Sequence, residues 1–347
     1  MSAPILGIDQ VTVRFGGLTA VKDVSLEVVR GSITAVIGPN GAGKTTLFNA
    51  ITGVFEATEG SVLVSGSDPR EPWTRRVFLG AALTGVATAL LLTVLLRIEV
   101  LWTASVIELY EYQKPFPWMK AIGAFFASFA AGGVGWTWFP LAIGFALGAA
   151  GRLVIWSRTR RTPDVVARAG VARTFQNIRL FPDMSAVENV MVGVDAHSKT
   201  SVVGAILGIP RSRREESESR ERAHELLKFI GIDEYAEVAA RNLPYGHQRR
   251  LEIARALGTN PKLLCLDEPA AGFNPAEKQE LNELILNIRN QGYTVLLIEH
   301  DMNVVMKISD RIAVLDFGRK IAEGLPHEIR DNPDVIAAYL GVPDDAA

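Results

Sequence analysis

The spacing of apolar and polar residues divides the chain into two stretches of mixed pattern, with a third between them that is apolar almost without interruption. Up to about residue 68 the apolar positions come in short runs closed by turns. Residues 12–15, 24–29, 33–37 and 61–65 read as strands, the last following the turn at Glu59 and Gly60. Residues 32–37 read as a buried strand and residues 45–51, behind the next loop, as a helix. From Pro163 onward strand-like and helical patterns alternate again. A charged amphipathic helix is expected around residues 211–229, its charges forming a solvated face.

The middle stretch follows a different rule. Residues 77–96 are uncharged and apolar over about 20 positions, the length that spans a hydrocarbon core of roughly 30 Å. A second uncharged run, 121–151, contains Trp136, Trp138 and Pro140 and is longer than one straight span requires, so it must tilt, break or extend into the interface. Arg70, Arg75 and Arg76 precede the first run, and Arg152, Arg158, Arg160 and Arg161 follow the second. Between the runs, Arg97, Lys114 and Lys120 are matched by Glu99, Glu108 and Glu111, so both outer ends read as cytoplasmic, with Trp102, Tyr110, Tyr112 and Trp118 as an aromatic belt. Parity agrees, because a chain that completes one cytoplasmic site from both flanks crosses an even number of times. The expectation is two membrane helices, near 77–96 and within 121–156, in an insertion spanning 69–162. The rival is a helical hairpin buried on the soluble core or on a partner. It is disfavoured because two such runs would leave a large exposed apolar patch.

Composition adds little beyond this. The 347 residues carry a net charge of −2 and a pI near 6.3, so nucleic acid is not expected as the main partner. The mean hydropathy of +0.18 is high for a soluble enzyme, and the excess lies in the middle stretch. The single cysteine, Cys265, excludes an intrachain disulfide and a cysteine-rich metal site, and reads as a core residue. The N-terminus, strand-like from Ile5 to Val13, lacks the pattern of a secretory signal, so the phosphate loop is expected in the cytoplasm.

The candidate chemistry begins at Gly38, Pro39, Asn40, Gly41, Ala42, Gly43, Lys44, Thr45 and Thr46, which match the phosphate-cradling pattern G-x-x-x-x-G-K-[ST] between a predicted strand and helix. Glycines at 38, 41 and 43 let backbone N–H groups approach a phosphate, Lys44 supplies a point charge toward the β/γ-phosphates, and the Thr45 hydroxyl can ligate Mg²⁺. That loop alone leaves kinases, GTPases and transport ATPases open. A second element, the apolar run 263–266 ending in Asp267 and Glu268, places one carboxylate to hold Mg²⁺ directly or through water and the other to accept a proton from an attacking water.

These elements stand in one order with Leu-Pro-Tyr-Gly-His-Gln-Arg-Arg-Leu-Glu-Ile-Ala-Arg at 243–255 and Leu-Leu-Ile-Glu-His-Asp at 296–301. The chain thereby resembles the ATP-binding cassette (ABC) transporter ATPases over about 4–68 and 163–342. It is most similar to the subgroup powering branched-chain amino acid importers, through the 243–255 block, Ala-Ala-Gly-Phe-Asn-Pro at 270–275 and the ending at 332–340. The resemblance implies an α/β P-loop core with an antiparallel β subdomain and a helical subdomain, interrupted by the hairpin. The corresponding domains are 1–68, 69–162 and 163–347.

Carried onto this sequence, the resemblance implies that Phe15 stacks on adenine. Gln176 would touch Mg²⁺ or the attacking water and sense the transmembrane partner. Tyr245, Gly246, His247 and Gln248 form a signature acting on ATP bound by a second copy or a related cassette, Asn274 lies in a loop crossing that dimer interface, and His300 hydrogen-bonds the γ-phosphate. Glu268, His300, Gln176 and Lys44 are thus the expected catalytic set, and Thr45, Gln176 and Asp267 the expected Mg²⁺ ligands. His197, His224, His247 and His327 show no ligand spacing and read as surface or structural residues. The implied partners are permease subunits, a periplasmic substrate-binding protein and membrane lipid, with the chain at the cytoplasmic face of the inner membrane.

One departure stands out: where the broad family begins its signature Leu-Ser-Gly-Gly-Gln, this chain has Leu243, Pro244, Tyr245, Gly246 and His247, so a serine hydroxyl is missing and slower hydrolysis is expected. A soluble ABC ATPase acting on DNA or ribosomes would normally bring coiled-coil arms, zinc-binding cysteines or a second cassette, none of which the sequence contains. A P-loop kinase would share only the first motif. Urea and amides remain alternative cargo at this point.

Overall fold

A computed structural model describes residues 4–131, 134–197 and 210–340; the side chains at 129–137, 158, 197 and 340, Trp136 and Arg158 among them, lie outside the described part. The chain forms two compact units, one of residues 1–70 with 161–347 and one of residues 71–160.

In the first unit, β1 (Pro4–Phe15), β2 (Leu18–Val29) and β4 (Glu59–Val64) make an antiparallel sheet in the order β2-β1-β4. β1 covers the strand-like 5–13 together with 12–15, whereas β2 begins well before the stretch 24–29 legible in the sequence. Gln10 and Asp23 have positive φ, 47° and 53°, and the β1–β2 register shifts between Ile8 and Val11. Such a bulge resets the in–out alternation that marks a strand.

A six-stranded sheet carries the rest, in the order β5 (Val171–Arg173), β6 (Leu263–Asp267), β7 (Thr294–Ile298), β3 (Ile33–Ile37), β8 (Arg311–Asp316) and β9 (Arg319–Gly324). All neighbours are parallel except β8 and β9. Every residue of β3, β6 and β7 is buried, which is why they read as unbroken apolar runs. One face packs on α1 (Lys44–Ile51), α6 (Pro163–Arg168) and the antiparallel sheet, through Val36, Leu47, Phe48, Val166 and Ile298. The other face, with Ile33, Leu264 and Leu297, is covered by α7 (Ala186–Val194), α8 (Pro210–Ile230), α9 (Tyr245–Gly258) and α10 (Pro275–Asn290). Asp267 pairs with Ile298, and Val36 pairs with Ile298 on the other side, so β6, β7 and β3 end side by side. Ligands of open α/β sheets bind at such carboxyl ends.

The second unit contains α2 (Arg75–Leu96), α3 (Ile98–Trp102) followed by a π turn, α4 (Trp118–Ala131) and α5 (Val134–Arg158). The long second apolar run is helical over Trp118–Ala131 and Val134–Arg158, and residues 132 and 133 lie outside the described part. Pro140 is accommodated inside α5.

α2 meets α5 through small residues. Its buried positions are Ala81, Gly85, Ala89 and Thr93, one per turn, while Phe78, Leu79, Leu83, Leu90, Leu91 and Leu95 are exposed. A Cβ on Gly144 would lie 2.6 Å from the Ala89 Cα, and one on Gly148 only 1.8 Å from the Thr88 Oγ1. The close approach lets the Thr88 hydroxyl donate to the Gly144 carbonyl across the pair at 2.9 Å. At the arginine-rich end, Trp73 packs on Phe78 and Trp156 with centroids 5.5 and 4.4 Å apart, and the Arg160 guanidinium lies over Trp73 and Trp156. Glu71 and Arg160 close the unit: the Glu71 N–H donates to the Arg160 carbonyl, and Arg160 Nε donates to the Glu71 carbonyl, both at 2.9 Å. Trp102, Tyr110, Tyr112 and Trp118 are exposed at the other end. Arg75–Leu96 and Trp138–Ser157 are long and apolar enough to cross a membrane by length and composition.

Cys265 sits fully buried in β6, and burial pushes its thiol up to about 12, against the pull of Arg173. From an ordinary value near 9 this leaves roughly a thousandfold less thiolate at pH 8, so the native thiol should resist iodoacetamide and react fully in denaturant. Mass spectrometry of labelled protein checks this; rapid native labelling would contradict the packing of β6.

Candidate functional site

The loop between β3 and α1 owes its shape to glycines, for a reason the sequence does not reveal. Gly38 has φ 151°, and a Cβ there would lie 2.0 Å from the Leu315 carbonyl oxygen; Gly43 has φ 94°, and its Cβ would lie 2.5 Å from the Ala20 oxygen. At these two positions glycine is demanded by the protein's own backbone, while Gly41 faces open space. Lys44 is buried, its ammonium donating to the carbonyls of Gly38 at 2.8 Å and Pro39 at 2.9 Å. Burial holds its pKa below the usual lysine range, partly offset by Glu268. A phosphate arriving here would meet a cation already stripped of much of its water.

A cleft of about 450 Å³ opens over this loop, lined by Asn40 through Thr46 together with Leu18, Gln176, Glu268 and Phe317. Glu268 has a positive φ of 46°, uncommon for a residue with a side chain, and its N–H donates to the Ile298 carbonyl at 2.9 Å. The Gln176 amide donates to Glu268 Oε2 at 3.0 Å, and His300 Nδ1 lies 3.8 Å from the same oxygen. Lys44, Glu268, Gln176 and His300 are thus brought together from four segments. Phe15 is exposed at the end of β1, edge-on to Phe55 with centroids 5.2 Å apart, and does not line the cleft; Phe317, 90% exposed at φ 40°, does.

Asp267 is buried, and Arg173 donates to its Oδ2 at 2.7 Å while also bonding Asn49 and Thr52. Thr45, Gln176 and Asp267 offer the all-oxygen donor set that Mg²⁺ takes, with the Gln176 carbonyl oxygen and one Asp267 oxygen outside these bonds.

The signature residues lie elsewhere. Tyr245, Gly246, His247, Gln248 and Asn274 are not in the cleft lining. Tyr245 is exposed; His247 stacks on Tyr235 at 4.8 Å, and the Gln248 amide donates to its own Leu243 carbonyl at 2.9 Å. Pro244 stands at the N-cap of α9 with no side-chain bond to the helix, so the first-turn N–H groups have no side-chain acceptor there. Asn274 caps α10, accepting from Ala276 and Glu277, so its side chain is committed locally.

Three further groups shape the site without having been singled out in the sequence. Glu299, buried, accepts from the N–H groups of Ala270 at 2.9 Å and His300 at 3.1 Å, joining the loop after Glu268 to the loop of His300. Burial pushes its carboxyl up, opposed by those N–H groups. Arg249, on α9, donates to the carbonyls of Phe175 at 2.7 Å and Gln176 at 2.8 Å, while Glu252 accepts from the N–H groups of Phe175 and Arg179 and pairs with Arg249 at 2.9 Å. The only sequence signal for that pair is an Arg and a Glu three apart on the apolar side of a helix. Among the described residues no cluster of three or more His, Cys, Asp or Glu is placed to hold a metal.

Comparison with known proteins agrees with this arrangement. The sequence model of the ABC transporter family matches residues 21–87 and 144–271, and that of the branched-chain amino acid ATP-binding cassette transporter matches 319–345. The chain is 39% identical to the high-affinity branched-chain amino acid transport ATP-binding protein LivG of Escherichia coli, covering 98% of this chain and 99% of that protein. It is 37% identical to the corresponding protein BraF of Pseudomonas aeruginosa, with the same coverage. A crystal structure of an ATP-binding cassette of an ABC transporter in its ADP conformation superposes with a TM-score of 0.63 at 24% identity, covering 98% of this chain and 100% of that one, a likeness of fold.

Replacing Glu268 with Gln should leave nucleotide binding intact and lower phosphate release by about 10²–10⁴-fold, the usual weight of a general base. Lys44→Ala should instead weaken binding itself. Parallel measurements of nucleotide binding and phosphate release separate the two; near-normal turnover in Glu268→Gln would remove that residue from the base role.

Proposed function

Because the chain belongs to the ABC transporter family, we propose that it binds and hydrolyses MgATP as the energising subunit of an importer of branched-chain amino acids at the cytoplasmic face of the cell membrane. The observation that carries this is the division of the site: Lys44, Gln176 and Glu268 line one cleft, with His300 beside Glu268, while the uncapped start of α9 lies outside it. Two copies, or this chain and a related cassette, would each complete the other's site.

In that dimer, the loop N–H groups and Lys44 cradle the phosphates, and an exposed ring, Phe15 or Phe317, receives the adenine. Thr45, Gln176 and Asp267 would hold Mg²⁺, which supplies charge neutralisation on the phosphate oxygens. Glu268 accepts the proton of the attacking water, which Gln176 orients, and His300 donates to the γ-phosphate. The N–H groups at Gly246 of the other copy meet the same phosphate through a positive helix end. Loss of the γ-phosphate removes what holds the copies together, so binding favours the closed dimer and hydrolysis opens it.

A permease has a place to dock. A groove of about 380 Å³ beside Phe175 is lined by Val54, Phe181, Val192 and Arg255, with Phe181 and Val192 exposed. The substrate assignment rests on the names of the relatives and on the 319–345 match; permeases and a periplasmic binding protein would select the cargo.

Residues 71–160 fit a membrane hairpin anchoring the ATPase beside its permease. Small residues face inward and large apolar ones outward, the reverse of a water-soluble helix pair and the packing rule of helices in lipid.

Cells lacking their own branched-chain importer ATPase, given this chain with its permeases and binding protein, should take up labelled leucine, and Glu268→Gln should abolish uptake. Uptake of urea or an amide in place of leucine would overturn the substrate class. Separately, the chain expressed without its permease should stay with membranes through carbonate washing, and release into the supernatant would remove the hairpin reading.

A further inference from the structure

The two ends of the helical unit differ sharply in charge. At the end where the chain enters and leaves, Arg75, Arg76, Arg152 and Arg160 stand with one glutamate among the described residues of the unit, Glu71, while at the other end Arg97, Lys114 and Lys120 are balanced by Glu99, Glu108 and Glu111. Arg75, Arg76 and Arg152 are exposed, and among the described residues none of the three has a hydrogen-bond or ion-pair partner. Arg75 and Arg76 also open α2, whose first turn contains no acid, where the helix dipole disfavours cations. Fold stability alone gives no reason for this placement, since a helix start is normally acidic.

Beside these arginines stand Trp73 and Trp156, packed together with their rings tilted by 58° under Arg160. Aromatic rings next to guanidinium groups at the end of an apolar helix pair belong at headgroup depth, where a ring buries its apolar body and a cation meets phosphate. An acidic protein surface would also neutralise the charge. It would not account for the tryptophans or for the long apolar faces running away from the arginines.

We propose that this end of the helical unit is a docking surface for anionic phospholipid headgroups, with Arg75, Arg76 and Arg152 as its phosphate-binding groups. The proposal rests on the membrane-hairpin reading and adds to it a lipid class. Each arginine near an anionic surface contributes through long-range attraction, so three together should favour anionic over zwitterionic membranes by about a hundredfold at low salt, with the preference shrinking as salt rises.

Flotation of the full chain with phosphatidylcholine vesicles, and with vesicles that also contain phosphatidylglycerol, tests it. The wild-type chain should bind both in a carbonate-resistant manner and prefer the anionic set. The triple variant Arg75→Gln/Arg76→Gln/Arg152→Gln should keep carbonate-resistant binding and unchanged ATP hydrolysis while losing most of the preference. No preference in the wild type, or an undiminished one in the variant, overturns the lipid assignment and leaves the hairpin standing. Carbonate-sensitive binding to both vesicle types removes the hairpin itself, and the assignment with it. Binding of the wild-type chain to an acidic poly-glutamate peptide, lost in the triple variant, with no vesicle preference in either chain would assign the arginines to protein contact and overturn the proposal.

Discussion

The site depends on the parallel register of three strands. β6, β7 and β3 hydrogen-bond side by side, with Asp267 opposite Ile298 and Ile298 opposite Val36, so the chain leaves the sheet three times along one edge. One exit becomes the phosphate loop, the next turns sharply at Glu268, and the third leads to His300. A shift of one residue in any strand would turn a functional group into the core and a core residue into the cleft. The Glu268 N–H bond to the Ile298 carbonyl extends the pairing one residue past β6, and this holds the carboxylate at φ 46° against its backbone preference.

The same edge concentrates charge where the sheet excludes water, and each charge is met at once. Arg173 answers Asp267, loop carbonyls answer Lys44, and backbone N–H groups answer Glu299. Unpaired, each would cost several kcal/mol in such surroundings. The hydrogen-bond partners of Lys44 among the described residues are neutral carbonyls, so the phosphates of a nucleotide offer it more than the resting loop does.

Much of this was readable beforehand because local rules and the fold agree. The phosphate loop, the apolar runs ending at Asp267 and before His300, and the two long apolar runs all announce themselves by pattern. What stayed hidden depends on contacts distant in sequence: Gly38 and Gly43 are needed for Leu315 and Ala20, Arg173 serves Asp267 ninety-four residues away, and Glu299 links two loops. Asn274 illustrates the opposite limit, since its place in a loop was legible but its commitment to the α10 cap was not. The helical unit follows a second physics altogether, in which burial selects Gly85 and Ala89 and leaves Leu90 and Leu91 outside.

The buried pair Arg249–Glu252 shows how one half of the ATPase unit can inform the other. An ion pair with no solvent exposure is rarely a net gain over apolar packing, so its retention calls for a geometric reason. Here both partners also bond backbone groups of residues 175–179, so that carbonyls and N–H groups of the Gln176 segment are gripped from α9. A hydrophobic replacement could fill the volume but could not hold a strand of backbone at fixed orientation. The consequence is mechanical. Arg249 and Glu252 thereby tie α9, whose start is proposed to meet a phosphate on another copy, to the segment of Gln176, which is itself bonded to Glu268.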